Sequence, residues 1–207
     1  FPEPSVLAEL FSFKAAQLSS STKYVFQMEK ALEKVWELYP EAKHVIVLEE
    51  EVIVGPDFLY FLAQCLATVE KDDSLMGISG WNENGYEGLS GLTDVAYRTS
   101  GFPGLGFLLK RSFYDQHMAA NMPACCRKRS WDGWSAPADK EMIVPDTSRV
   151  YRRPYEGLSE QGDMLTQLFN RPRITNLESQ PKLSNVGELG QAEYERGLEA
   201  IITQATD

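Results

Sequence analysis

HVIVLEEEVIVGPDF, residues 44–58, sets a β-branched run against three consecutive carboxylates. The run His44 to Leu48 has the profile of a buried strand. Glu49, Glu50 and Glu51 repel one another, and a strand ending in Leu48 has no structural need of them. Gly55-Pro56-Asp57 then opens a helix, with Pro at the first position and Asp in the first turn. Phe58, Leu59, Leu62, Cys65, Leu66 and Val69 form its apolar face. Upstream, the polar cluster Ser19 to Thr22 suits an N-cap. Tyr24, Met28, Leu32 and Val35 then recur at helical spacing until Pro40 closes the element. Downstream, SLMGISGW and VAYRT read as strands. Helix, strand, helix, strand in this order predicts an α/β sheet with at least two parallel strands. Ligands of such sheets bind beyond the carboxyl ends of the strands, where the glutamate triplet falls. A charge run is ordinarily a solvated turn; its place at a strand end is what points to a site.

The rest of the chain narrows the class. Its 207 residues suffice for one sizeable core or a domain with an appendage. The net charge of −10 disfavours nucleic-acid and anionic-membrane binding, and no apolar run reaches the ~20 residues of a membrane span. Cys65, Cys125 and Cys126 form no disulfide framework and no zinc spacing; Cys65 reads as a buried thiol. The start Phe1-Pro2-Glu3-Pro4 lacks a methionine and a leader, as expected of a processed form or a fragment. After the strands come the glycine-punctuated GFPGLGFLLKRSFY, a basic CCRKRS loop, WDGW, the extended EMIVPDTSRVYRR and a short helix in GLSEQGDMLTQLF. PRITNL closes the compact part. QPKLSNVGELG is linker-like, and QAEYERGLEAIITQ is an amphipathic terminal helix whose Leu198, Ile201 and Ile202 suit a docking element, packing on their own domain being the first expectation. The organisation predicted is 1–21 as an N-terminal segment, 22–177 as the domain, and 178–207 as linker and helix.

Carboxylates at a strand end suit Mg²⁺ or Mn²⁺, hard cations that leave positions open for phosphate. No phosphate-binding glycine loop, dinucleotide fingerprint or nucleophile elbow is present, and His44 and His117 read as structural. Metal-assisted transfer from a nucleotide-diphosphate donor needs only carboxylates. The second candidate is Trp131-Asp132-Gly133-Trp134. Its indoles suit stacking on a sugar ring and Asp132 suits a general base, the alternative being two aromatics that anchor a loop.

LYPEAKHVIVLEEEVIVGPDFLYFL, EKDDSLMGISGWNENGYE, YRTSGFPGLGFLLKRSFY, WDGW and VPDTSRVY together resemble the mannose-directed β-1,2-N-acetylglucosaminyltransferases. That family includes N-acetylglucosaminyltransferase I of N-glycan maturation and the protein O-mannose transferase, the latter looking closer. The likeness runs from about Thr22 to Leu177. It implies a GT-A fold, a mixed sheet flanked by helices, and an inverting, Mn²⁺-dependent transfer of N-acetylglucosamine from its UDP conjugate to mannose O2. By position, Glu51 would hold the metal, Glu50 would face the ribose and Glu49 the transferred sugar. Leu105 would line the sugar pocket and Trp131 pack on the sugar. Asp132 would be the base, and Ser159 would belong to the loop closing over the donor.

Four departures from the family pattern cut against catalysis. Glu51 stands where the family has Asp, which weakens an octahedral Mn²⁺ site. The stretch Trp134 to Glu141 is shorter and poorer in arginine. Glu160-Gln161 replaces a histidine and adds negative charge beside a diphosphate. Only about twenty residues precede Thr22, too few for the first nucleotide-binding strands at ~3.3 Å per residue. These favour a domain impaired in catalysis that serves as an accessory or structural subunit, its incomplete sheet covered by other protein chains. The alternative is an active transferase whose N-terminal half lies outside this chain. The resemblance implies the Golgi or endoplasmic-reticulum lumen; an organelle-imported subunit is the other expectation.

Overall fold

The computed structural model describes residues 24–49, 52–120, 139–152 and 172–206. Helix α1 (Tyr24–Leu38) leads to β1 (His44–Leu48), and β2 (Val52–Val54) to α2 (Phe58–Lys71). Then follow β3 (Leu75–Ser79), β4 (Ala96–Thr99) and β5 (Gly106–Lys110). A turn of helix, α3 (Arg111–Phe113), runs into a π-helical turn (Tyr114–Met118). The described chain closes with β6 (Glu141–Pro145), β7 (Val150–Arg152), a 3-10 turn (Val186–Glu188) and α4 (Gln191–Thr206).

Five strands make one mixed sheet in the order β1-β5-β3-β6-β4, and β2 with β7 makes a second, two-stranded one. Among the described strands only β3 and β6 are hydrogen-bonded in parallel; β1–β5, β3–β5 and β4–β6 are antiparallel. It follows that β1, β3 and β6 point the same way, as helix–strand alternation requires, but β5 is inserted between β1 and β3. The carboxyl ends of β1, β3 and β6 therefore share one edge with the starts of β4 and β5. Leu48 faces Gly106, Ser79 faces Phe107, and Ala96 faces Pro145.

Alternation along the strands, interrupted in β3 by a register shift between Leu75 and Gly77, divides the core between two faces. Leu108, Ile78 and Ile143 point to the α2 side, with Phe58, Phe61, Leu62, Cys65 and Val69. Phe107, Leu109, Met76 and Met142 point to the α1 side, with Leu32, Trp36 and the π-turn residues Tyr114 and Met118. In β3 only glycine fits at position 77, because a Cβ there would stand 2.0 Å from the Leu108 carbonyl oxygen. Burial pushes the Cys65 thiol up to about 12, which bears out its reading as a core residue.

Several local expectations change. β1 is not buried on both faces: Ile46 and Leu48 are 42% and 52% exposed, since β1 is an edge of the sheet among the described residues. Helix α2 begins at Phe58, after Pro56, and Asp57 makes no side-chain cap. Phe61 is fully buried where Leu59 was expected and is not: the face laid on the sheet is the i, i+3/i+4 stripe of Phe58, Phe61, Leu62, Cys65 and Val69, which leaves Leu59 to solvent. Ile201 and Ile202 of α4 are exposed, at 65% and 63%, so the helix does not lay its apolar stripe on its own domain. The linker-like stretch is pinned to α2: Leu183 N–H donates to Gln64 Oε1 at 2.8 Å, Gln64 Nε2 donates to the Pro181 carbonyl at 3.2 Å, and Leu183 and Leu189 are buried.

Candidate functional site

The shared edge gathers four loops: the one beginning at Glu49, the one after β3, the one before β5, and the β6–β7 connection. Glu49 follows directly on Leu48 and is half-buried. Its carboxylate Oε1 accepts from the Leu105 amide at 2.7 Å, while its own amide donates to the Leu105 carbonyl at 2.8 Å. Two residues 56 apart in sequence are thereby locked together at the end of β1. An ionised acceptor makes the first bond stronger than a neutral pair.

Leu105 earns this contact through an unusual backbone. Gly104 and Leu105 both have left-handed conformations, with φ of 67° and 63°. For Gly104 that is free, whereas for a leucine it costs about 1 kcal/mol or more. The conformation turns the Leu105 amide toward Glu49 and leaves the side chain 5% exposed, packed in the core cluster on the α2 side. Ser79 Oγ holds the loop from behind, donating to the Gly104 carbonyl at 3.3 Å.

Beneath these loops lies a polar network. Arg149 and Asp57 form an ion pair at 2.9 Å with both side chains at 0% exposure. Arg149 also donates to the carbonyls of Thr147 and Thr93, and its guanidinium lies 5.1 Å from the centre of the Phe61 ring. Its backbone ties three loops: the amide donates to Gly80 O at 2.7 Å, and the carbonyl accepts from Gly55 N at 2.7 Å. The Asp146 carboxylate accepts from the amides of Gly91 and Leu92 at 2.8 and 2.7 Å, and its carbonyl accepts from Asn82 Nδ2 at 2.7 Å. The motifs WNENG and VPDTSR thus supply the supports of the site. Both motifs carry the family resemblance, but nothing in their sequence marks these residues as supports. Asp57 was read as a helix-opening residue, and its position gives no hint of a partner 92 residues away.

Of the residues predicted for the site, Glu49 and Leu105 are brought together. Glu50, Glu51, Trp131, Asp132 and Ser159 lie outside the described residues. The residues flanking Glu50 and Glu51 are described. Val52, which follows Glu51, donates from its amide to the Glu49 carbonyl at 3.4 Å and stands opposite Arg152, seven residues before Ser159. No group of three or more His, Cys, Asp or Glu suited to a metal occurs among the described residues, and no helix among them is long and apolar enough to cross a membrane. His44 lies 3.9 Å from Glu70, with burial holding its pKa down, and His117 stacks on Phe113; neither is at this edge.

The whole stretch from residue 16 to residue 207 matches the model of the GNT-I family. The chain belongs to the GNT-I family. The alpha-1,3-mannosyl-glycoprotein 2-beta-N-acetylglucosaminyltransferase of Arabidopsis thaliana is 27% identical to it over 165 residues. The match covers 78% of this chain and 36% of that relative, so the chain spans little more than a third of the relative's length. Family membership makes the domain acetylglucosaminyltransferase-like. The mixed sheet flanked by helices agrees with the fold expected from the sequence at that coarser level.

Proposed function

We propose that this is a divergent GT-A-type domain that binds UDP-N-acetylglucosamine at the sheet edge and passes the sugar to mannose O2 with inversion, at a reduced rate. The observation that supports this reading best is the reciprocal Glu49–Leu105 pair. Two residues assigned to the donor-sugar pocket by resemblance are in direct contact at the strand end where a ligand is expected.

In the reaction, Glu49 and Leu105 form one wall of the sugar pocket, and Trp131 packs on the ring. Asp132 takes the proton from mannose O2 as that oxygen attacks the anomeric carbon, and the bond to the UDP oxygen breaks on the opposite side. Glu50 and Glu51, next to Glu49 in the sequence, offer only carboxylate oxygens, the donor type that Mn²⁺ takes. Glu51 would hold the ion, with Glu49 Oε1 already committed to the Leu105 amide. When bound, the ion supplies positive charge to the departing diphosphate. The longer side chain of Glu51, the carboxylate of Glu160 and the arginine-poor stretch after Trp134 account for the reduced rate.

A mannoside acceptor, UDP-N-acetylglucosamine and Mn²⁺ should give a β-1,2-linked product slowly, and Asp132→Asn should abolish it. Equal product from the variant would overturn the assignment. A second reading, an accessory subunit covered by other chains, is favoured by the exposed Ile46 and Leu48 of β1 and Ile201 and Ile202 of α4. A stable, fully monomeric protein at high concentration would count against it. Either role is proposed for a secretory-pathway lumen, by analogy with the resemblance.

A further inference from the structure

We propose that the turn Asn82–Gly85 is the acceptor-facing wall of this site, and that Glu83 and Asn84 determine which acceptor sugar is taken by hydrogen-bonding to its hydroxyls. The proposal rests on the reading of the site as a sugar transferase and goes beyond it by naming residues that no part of that reading uses.

The turn begins three residues beyond the carboxyl end of β3, at the edge that carries Glu49 and Leu105. It is closed by Gly85 N donating to Asn82 O at 3.0 Å and Asn84 N donating to Asn82 Oδ1 at 2.9 Å. Asn82 is committed to support: its amide donates to Ser148 Oγ at 3.0 Å and its Nδ2 to the Asp146 carbonyl at 2.7 Å. On the other side stands Arg173. Its guanidinium lies 4.4 Å from the centre of the Trp81 ring and 4.0 Å from that of Tyr86, and Nη1 donates to the carbonyls of Asn82 and Glu83 at 3.2 and 3.1 Å. Two segments distant in sequence, the β6–β7 connection and Arg173, therefore fix the backbone of four residues that belong to no strand or helix. A chain reversal alone needs none of this; a binding surface that must hold its side chains in place does.

The two residues at the tip, Glu83 and Asn84, are exposed. Glu83 Oε2 comes within 4.0 Å of the point where a Cβ on Gly101 would stand. Gly101 opens the loop that runs through Gly104 to Leu105, so the turn borders the loop that makes the sugar pocket. The Ser79 hydroxyl joins the two, accepting from Trp81 N at 3.1 Å and donating toward the Gly104 carbonyl at 3.3 Å.

The chemistry selects the ligand. A carboxylate only accepts and a carboxamide both donates and accepts, a combination suited to neighbouring hydroxyls of a neutral sugar. The turn follows β3, two strands over from the β1 end to which the metal and diphosphate are assigned, which puts it on the acceptor side.

The test uses the full chain with UDP-N-acetylglucosamine, Mn²⁺ and methyl α-mannoside. Donor binding is read by calorimetry and mannoside binding by saturation-transfer NMR in the presence of UDP. The combined substitution Glu83→Ala with Asn84→Ala is expected to leave the donor dissociation constant within about twofold and to weaken mannoside binding at least fivefold; Glu83→Gln alone should recover part of it. Donor binding with unchanged mannoside binding in the variant overturns this inference and leaves the functional reading standing. Loss of donor binding in the variant makes the turn a structural support and also overturns it. Wild-type protein that binds neither ligand overturns the functional reading, and the inference with it.

Discussion

Arg149, at the carboxyl-end edge of the sheet, and Arg98, at the opposite edge, are both withdrawn from water, with side-chain exposures of 0% and 1%. Arg149 meets one carboxylate, Asp57, and spends its remaining donors on the carbonyls of Thr147 and Thr93. Arg98 meets two: Asp72 at 2.8 Å and Glu141 at 2.6 Å, with the Leu189 carbonyl at 2.9 Å. The partners of Arg149 are loops that frame the site. Those of Arg98 are the starts of β3 and β6 and the approach to α4, for Asp72 Oδ2 also accepts from Gln191 N at 2.9 Å. The same guanidinium chemistry thus sets the shape of a site at one edge and fastens a helix at the other. The site edge is also the less completely satisfied. Asp57 Oδ1 and Thr147 Oγ1 are buried with no hydrogen-bond partner among the described residues, whereas both carboxylate oxygens of Asp72 are engaged.

The sharpest way to break this contrast is to remove one carboxylate from each arginine. Asp57→Ala strands a fully buried charge and should destabilise the protein by about 3–5 kcal/mol in denaturant titration. Asp57→Leu with Arg149→Met should recover at least half of that. Asp72→Ala leaves Arg98 its Glu141 partner and should cost about 2 kcal/mol, with faster amide exchange confined to the first turn of α4.

The Asp72 effect carries a pH signature. Burial alone would raise its pKa, but hydrogen bonds from Ser74, Arg98 and the Gln191 amide outweigh that and hold the carboxyl below its usual value. A depressed folded value means the stabilisation is complete above the unfolded value of about 3.9 and is lost as the pH falls through the folded one. The first turn of α4 should therefore stay protected at pH 5 and loosen only below about pH 4. Loosening between pH 5 and 6 would contradict this assignment.

Smaller effects are expected at the site's own latch. Glu49→Ala should cost about 1 kcal/mol of stability. It should weaken binding of UDP-N-acetylglucosamine more than binding of UDP, since the contact lies on the sugar side. Smallest of all, Cys65 should resist thiol reagents at pH 8 in the native protein, because a thiol raised to about 12 holds about 1 part in 10⁴ as thiolate.

The elements at the two edges were unequally legible in the sequence. α1, α2, β3, β4 and α4 follow from periodicity, because each carries its own apolar pattern. The insertion of β5 between β1 and β3 does not. Strand order is decided by pairing between residues tens of positions apart, and the FLL of β5 reads the same in any of the three central places. At the site, Glu49 and Leu105 were reachable through the motifs that hold them. The left-handed backbone that joins them was not, since a leucine gives no sign of positive φ. Asp57 and Arg149 escaped for a related reason. A lone carboxylate before a helix looks like a cap, and only the fold reveals that its partner comes from the β6–β7 connection. Leu198, Ile201 and Ile202 were found correctly as a stripe, but a stripe does not say what it faces.

The account depends most on a sugar-nucleotide site at the end of β1, and calorimetric titration of UDP-N-acetylglucosamine with and without Mn²⁺ addresses it directly. The wild-type chain should bind with submillimolar affinity only when Mn²⁺ is present, and Glu51→Ala should weaken that binding at least tenfold. No binding up to millimolar donor, or binding indifferent to both the metal and Glu51, would contradict it.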